Sequence, residues 1–289
     1  MWFFLAFASA FFYSFRRISE KRLSQKINHF LLGWAVQAFS LPGTVLLLFF
    51  ATIPSLSSLS SNFWIPLLII WIFLYPIQAY FYYKSLKHGD VSYILPLFSL
   101  VPIFNIVTSW VLLGEIPSIV GFLGILSIVV GIYSLNMKSG MNLFSPFAAL
   151  FRNKLGLFMI INCLSLAFGS TLDKIAVQAS NPLFYSFVNT VGATIVLFIF
   201  ARKTNSNLES PIKNNYKELT IIGILQALAF TLYIFALNTG IVAYVAAIKS
   251  ASAILGSVWG FVFLKEKLNR YKVIALIFIS FGLLFIGLG

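Results

Sequence analysis

A lysine lies deep inside one of the most apolar stretches of the chain. Residues 242–264 are almost entirely aliphatic, aromatic or small, yet they include Lys249. A charge inside a membrane-spanning helix is costly, so such a residue usually faces a bundle interior or an aqueous cavity on the path of a substrate or ion. Its ammonium group could bind the carboxylate or phosphate of a metabolite. The alternative interpretation is structural: the long side chain extends towards the membrane surface or pairs with backbone carbonyls.

Amides and aromatic polar side chains inside other apolar stretches form a second group of candidates. A buried amide needs a hydrogen-bonding partner, either on another helix or on a ligand. Together with Lys249, the residues predicted to bind substrate are Gln78, Gln226, Tyr82, Tyr233, Trp34, Gln37 and Asn189. Tyr80 and Tyr83, near the end of an apolar stretch, are interpreted as interfacial residues.

Small residues beside Lys249 predict a surface for helix packing. Ser252, Gly256 and Gly260 recur every fourth position, a spacing that lets another helix approach closely. Two glutamates, Glu115 and Glu266, end apolar stretches, and we expect them to hold the connections at helix ends by hydrogen bonds. A proton-coupling role for either would require burial.

The chain lacks the patterns of common catalytic and metal sites. No G-x-x-x-x-G-K-[ST] phosphate loop occurs, and the two histidines and seven acidic residues form no paired or metal-spaced cluster. We therefore expect no enzymatic activity, no cofactor and no metal.

The composition indicates that the chain lies in a lipid bilayer. It is 60% hydrophobic and 9% charged, with a mean hydropathy of +0.95, whereas soluble domains carry about 25% charged residues. A spanning helix needs about 20 apolar residues. Such stretches occur at 2–21, 30–51, 63–83, 91–113, 117–136, 155–176, 182–200, 219–237, 242–264 and 271–288.

The net charge of +13 is explained by the loops between these stretches. Apart from Lys174 and Lys249, all lysines and arginines are assigned to the connections after the first, third, fifth, seventh and ninth stretches. The positive-inside bias then places those connections in the cytoplasm and both termini outside, and it makes nucleic-acid binding an unnecessary explanation. Cys163 is the only cysteine, so there is no disulfide framework.

The two halves of the chain resemble each other. Residues 82–93 align with 233–244 without a gap, and in the same register Glu115 falls on Glu266 and Gly131 on Gly282. Each copy holds five apolar stretches, and an odd number inverts the second copy in the membrane. Inverted repeats are a recurrent architecture of secondary transporters, with the substrate site near the midplane.

Two stretches, at the ends of the fourth and ninth spans, resemble a known family: residues 110–133 and 260–286. In each, an apolar run ends in a glutamate, and a second run contains the glycine noted above. They are similar to the EamA-like ten-helix branch of the drug/metabolite transporter superfamily. The resemblance covers nearly the whole chain and implies export or exchange of small metabolites by alternating access. It also implies that the fourth span packs on the ninth, with Asn105 matching Gly256.

The sequence therefore predicts an all-α membrane protein with ten transmembrane helices in two inverted five-helix repeats. Residues 1–138 form the first repeat, 139–154 a linker and 155–289 the second repeat. The expected function is secondary active transport of a small organic metabolite, for which Lys249 favours an anionic one. The expected location is the plasma or inner membrane, as a monomer or homodimer. A different function, flipping of a lipid or lipid-linked intermediate, is also compatible with the composition.

Overall fold

The computed structural model describes residues 1–88, 95–135, 154–204, 208–252 and 270–289. Within these ranges the regular structure is helical, and ten main helices are labelled in chain order. The first five are α1 (Trp2–Ser24), α2 (His29–Leu48), α3 (Ser61–Ile69, continued by Ile70–Leu74 and Tyr75–His88), α4 (Leu100–Leu113) and α5 (Ile119–Leu135). The second five are α6 (Lys154–Gln178), α7 (Pro182–Thr204), α8 (Tyr216–Thr239), α9 (Val242–Ser250) and α10 (Arg270–Leu288).

Five of these helices are long and apolar enough to cross a membrane: α2, α3, α6, α7 and α8. Shorter apolar helices, which overlap α4, α5 and α10, run over Leu97–Leu113, Ile119–Ser134 and Val273–Leu288. The fourth helix begins at Leu100, after a 3-10 turn at Leu95–Ser99, and so later than the predicted stretch. The protein is thus an all-helical, multi-pass membrane protein, and the count of ten crossings stays a prediction.

The third helix changes its winding near its middle. A π-helical turn, Ile70–Leu74, joins its two α-helical parts, and Pro76 follows two residues later. Proline has no N–H to donate to the carbonyl of the preceding turn, and π turns inside helices often occur at functional sites. Here the wider turn lies where the helix meets the central cavity described below.

Contacts between helices relate the two halves of the chain. Equivalent helices touch each other in three cases: α2 with α7, α4 with α9, and α5 with α10. A fourth relation is reciprocal, since α1 packs on α8 and α6 packs on α3. These pairings are those of a two-repeat architecture in which the copies are arranged about a common axis.

The crossing of α5 and α10 shows that these equivalent helices run in opposite directions. Gly124 faces Gly282 and Ile286, whereas Gly131, further along α5, faces Ala275 and Ile279. Moving forward along α5 therefore means moving backward along α10. Inverted repeats require this arrangement, and the glycines allow the two backbones to approach closely.

Replacing Gly282 by alanine is expected to destabilise the protein. A Cβ atom at this position would lie 2.7 Å from the Gly124 carbonyl oxygen and 2.6 Å from Ile128 Cγ1, and the backbone oxygen cannot yield without moving the helix. We expect a loss of about 1–3 kcal/mol, measured as a lower unfolding temperature in detergent. The control is Gly287→Ala on the same helix, where a Cβ would be an ordinary 3.7 Å from Phe3. Equal unfolding temperatures for the two variants would contradict the close crossing.

Candidate functional site

A cavity of about 200 Å³ lies between the two halves of the bundle. Its walls come from eight helices, α1 to α4 and α6 to α9, or from residues just before them. Six of the eight residues predicted to bind substrate line it: Lys249, Gln78, Gln226, Tyr82, Tyr233 and Gln37. The structure thus brings together polar residues that are far apart in the sequence.

Helical periodicity explains which residues face the cavity. On α6 these are Asn162, Leu166, Gly169, Ser170 and Asp173, at spacings of three and four that follow one face of a helix. The same spacing on α1 places Tyr13, Arg16 and Arg17 in the wall, and on α9 it places Ala246, Lys249 and Ser250 there. One polar face on each of several otherwise apolar helices therefore builds the site.

The position of Arg16 and Arg17 corrects the charge assignment made from the sequence. Both were assigned to a loop after the first apolar stretch, but α1 continues to Ser24 and carries them into the cavity wall. They therefore do not count as loop charges in the orientation argument. Whether the termini lie outside the cytoplasm stays a prediction.

Arg16 is held by partners within the protein. Its guanidinium forms an ion pair with Glu20, at 3.0 Å from Nη2 to Oε1, and donates a hydrogen bond to the side-chain oxygen of Gln226. Tyr83 donates a second hydrogen bond to Glu20 at 2.9 Å. The interfacial interpretation of Tyr83 is wrong: this side chain is buried and lines the cavity, because it completes the network around Glu20.

Lys249 lies in the cavity wall against aromatic rings. Its Nζ atom lies 3.7 Å from the centroid of the Tyr233 ring and 4.8 Å from that of Tyr13, and ring faces attract a cation. Among the residues that the structure describes, Lys249 forms no ion pair. The nearby carboxylate of Asp173 lines the same cavity and accepts a 2.5 Å hydrogen bond from the Tyr185 hydroxyl.

Two predicted binding residues lie away from the cavity. The amide of Asn189 is fully buried, donating to the Tyr75 hydroxyl at 3.0 Å and accepting from Trp71 Nε1 at 2.9 Å. It supports Tyr75, which does line the cavity. Trp34 packs on Phe198, with ring centroids 5.5 Å apart. The sequence shows that both residues lie in apolar segments, but not which way they face.

The predicted packing residues are described only in part. Ser252 and Asn105 are fully buried, and α9 packs on α4. Asn105 donates from its side chain to the Val101 carbonyl within α4, at 3.0 Å. Gly256, Gly260 and Glu266 lie outside the described residues.

Glu115 is at a helix end, but its contacts reach across the bundle. Gly114 ends α4 with a φ of 68°, a left-handed conformation that favours glycine. The Glu115 carboxylate then forms an ion pair with Lys174 of α6 and accepts a 2.8 Å hydrogen bond from the backbone N–H of Val242, at the start of α9. Lys174 also donates to the Gly240 carbonyl at 2.7 Å. The Glu115–Lys174 ion pair thus joins the end of α4 to the ends of three helices from the second half.

Several cavity residues were not among the predicted binding residues. The sequence indicates Asn162 and Tyr75 only as polar side chains inside apolar stretches, and it leaves Arg16, Arg17 and Asp173 open as gates or as helix-end pairs. It gives no role to Tyr13. Their spacing on α1 and α6 is the signal that could have found them, since each set follows a helical face. The signal was obscured on α1 because the charges follow an apolar run and resemble its cytoplasmic boundary.

Comparisons with known proteins give a family and a fold. The model of the EamA-like transporter family matches residues 1–137 and 154–288. A solved structure titled only "Crystal structure of protein" superposes with a TM-score of 0.79, covering 99% of this chain and 96% of that chain at 14% sequence identity. At that identity the likeness shows the fold alone. No curated protein matches the chain.

Proposed function

We propose that this chain, which belongs to the EamA-like transporter family, is a secondary active transporter of a small organic anion. The observation that carries the proposal is the pair of cations in the central cavity. Arg17 and Lys249 both line it, and neither forms an ion pair within the described part of the chain. Cations without direct partners inside a membrane protein mark substrate or ion pathways.

The balance of charge around the cavity supports an anionic solute. Of the residues that the structure describes, three cations line it, Arg16, Arg17 and Lys249, against one carboxylate, Asp173. Glu20, which is buried outside the cavity lining, neutralises the charge of Arg16 through their ion pair. One positive charge is left over, and uncompensated charge is costly in a medium of low dielectric constant. A bound monoanion would neutralise the site.

The other lining residues suit a small polar metabolite. Amide and phenol groups of Gln37, Gln78, Tyr82 and Tyr233 line the cavity and can hydrogen-bond to hydroxyl or carbonyl groups. The cavity volume of about 200 Å³ lies below the roughly 300–1,000 Å³ of sites for drug-sized ligands. This size favours a metabolite over a lipid-linked intermediate.

In the proposed mechanism the cavity opens alternately to the two sides of the membrane. The ten helices form two inverted repeats, residues 1–138 and 155–289, that cross the plasma or inner membrane with both termini outside. The fourth and ninth helices rock against each other at the repeat interface, which is where transporters of this architecture hold their substrates. Whether the cycle exports or exchanges the solute is decided by the coupling partner.

A counterflow assay tests this proposal. Purified protein in liposomes preloaded with one unlabelled metabolite is mixed with the same metabolite in labelled form, for a series of organic anions, neutral sugars and organic cations. We expect transient accumulation of label for at least one anion and none in protein-free liposomes. Accumulation of only neutral or cationic solutes, or movement of a fluorescent lipid with no response to any soluble anion, would contradict the proposal.

A further inference from the structure

We infer that Arg17 and Asn162 form a carboxylate subsite within the central cavity, separate from Lys249. The inference rests on the proposed function, and it adds which chemical group the anion carries and which side chains hold it. It starts from two polar side chains of the cavity wall, Arg17 and Asn162, for which the described part of the chain supplies no ion pair or side-chain hydrogen bond.

Arg17 differs from its neighbour Arg16 in what surrounds it. Arg16 has Glu20 and Gln226 as partners, whereas the Arg17 guanidinium lies over the ring of Phe98, with 5.4 Å from its central carbon to the ring centroid. A guanidinium lying over a ring keeps the hydrogen-bond donors on its edge free for a ligand. The N–H donors of Arg17 are therefore available to a ligand in the cavity, whereas those of Arg16 bind Glu20 and Gln226.

Asn162 differs in the same way from two other amides of the site, Gln78 and Gln226. It is 1% exposed, and neither its Nδ2 nor its Oδ1 atom has a hydrogen-bond partner among the described residues. By contrast, Gln78 donates to Ser165 at 3.3 Å, and Gln226 accepts from Arg16. Buried amides are nearly always hydrogen-bonded, so an amide with both atoms unpaired at a cavity wall needs an explanation. A bound ligand provides one.

The two residues lie on neighbouring parts of the cavity wall. Phe98, below Arg17, belongs to one apolar cluster with Met159 and Cys163 of α6. The Cys163 thiol donates to the Leu97 carbonyl at 3.3 Å. Asn162 lies between these two α6 residues, so the turn that carries it packs against the segment under Arg17.

A carboxylate fits this pair better than a phosphate does. The cavity has one uncompensated positive charge, which a carboxylate neutralises, whereas a phosphate monoester carries about −1.5 to −2 charges at pH 7. The planar guanidinium of arginine binds the two oxygens of a carboxylate with two parallel hydrogen bonds. The Asn162 Nδ2 atom can add a third donor, and its Oδ1 atom can accept from a neighbouring hydroxyl group. Lys249, which touches Tyr13 one helical turn before Arg17, then faces the remainder of the solute.

Substitutions of Arg17 and Asn162 test whether each side chain binds a carboxylate. We expect the wild type to bind glycerate more tightly than glycerol 3-phosphate, and Arg17→Lys, which keeps the charge but loses the two parallel hydrogen bonds, to weaken binding of glycerate by about tenfold or more. Asn162→Leu, similar in size, should weaken glycerate binding by about fivefold to tenfold. The control is Leu164→Ala, at an exposed position of the same turn of α6 that does not line the cavity, which should bind glycerate like the wild type. Affinities are measured by ligand-induced thermal stabilisation and by calorimetry, after each variant's unfolding temperature without ligand has been recorded.

The outcomes distinguish the subsite from the function. Wild-type affinity for glycerate in both Arg17→Lys and Asn162→Leu, or a wild-type protein that binds glycerol 3-phosphate but not glycerate, would overturn the subsite and leave anion transport standing. A wild-type protein that binds no anion and shows no counterflow of one would overturn the proposed function and the subsite with it. If one variant fails to fold, the other still decides, because the two act on different helices.

Discussion

Replacing Lys249 by methionine is expected to abolish stabilisation of the protein by anionic metabolites while leaving the protein folded. The ammonium group supplies charge to the cavity without an ion pair among the described residues. Its loss removes attraction for an anion but removes no internal ion pair. A ligand at about 100 times its dissociation constant stabilises the wild type by roughly 2.7 kcal/mol, which is readily measured as a shift in unfolding temperature. We expect this shift to vanish in Lys249→Met at the same ligand concentration.

Without ligand, the same variant should have an unfolding temperature close to that of the wild type, because the loss of a positive charge near Asp173 is offset by a smaller cost of burial. Burying an ammonium group carries a desolvation cost that a methionine of similar volume avoids. The control is Lys84→Met, because Lys84 packs on Tyr80 outside the cavity and donates to its hydroxyl. This variant should keep the ligand-induced shift. An unchanged shift in Lys249→Met would mean that the lysine is structural, and the anion would then depend on Arg17 alone.

Replacing Lys174 by methionine is expected to destabilise the protein by about 3–5 kcal/mol, because it leaves the Glu115 carboxylate without its counter-charge. The two side chains are only 8% and 15% exposed, and Glu115 also accepts from the Val242 N–H. The loss would be measured as a lower unfolding temperature in detergent, at equal protein and detergent concentrations.

A second substitution and a surface lysine complete this test. Glu115→Leu in the Lys174→Met background removes the carboxylate that has lost its counter-charge, so we expect the double variant to recover part of the lost stability. Lys203→Met, at an exposed position near the end of α7, should change the unfolding temperature little. If Lys174→Met and Lys203→Met have the same effect, the Glu115–Lys174 ion pair contributes nothing measurable to stability.

Lys249 shows which features of the site can be predicted from the sequence. Its presence in an apolar stretch follows from reading residues in order, and the cost of a membrane-buried charge predicts a position at a cavity. The same logic placed Gln78 and Gln226 correctly in the cavity wall. It failed for Asn189, since an amide can be satisfied equally well by Trp71 and Tyr75 on another helix. Burial of a polar group predicts that a partner exists, but not whether the partner is protein or ligand.

Arg17 illustrates the opposite case. In the sequence it ends an apolar run and looks like a boundary charge, because a helix that enters a polar cavity and a helix that leaves the membrane show the same change in composition. Only the continuation of α1 to Ser24, packed on α8, distinguishes the two. Likewise, nothing in the sequence connects Glu115 to Lys174, since that ion pair depends on where α4 and α6 end relative to each other.

The sequence by itself determined that this protein is a helical membrane transporter built from two repeats of similar sequence. Those properties depend on composition, on the length of apolar stretches and on internal similarity, which are all one-dimensional. Only the tertiary structure decided which polar faces meet around one cavity, and that Arg17 and Asn162 belong to it together with Lys249, whose place there the sequence predicts. The physical reason is that each helix presents its polar residues on one side, and the packing of the other helices determines whether that side faces lipid, protein or the cavity.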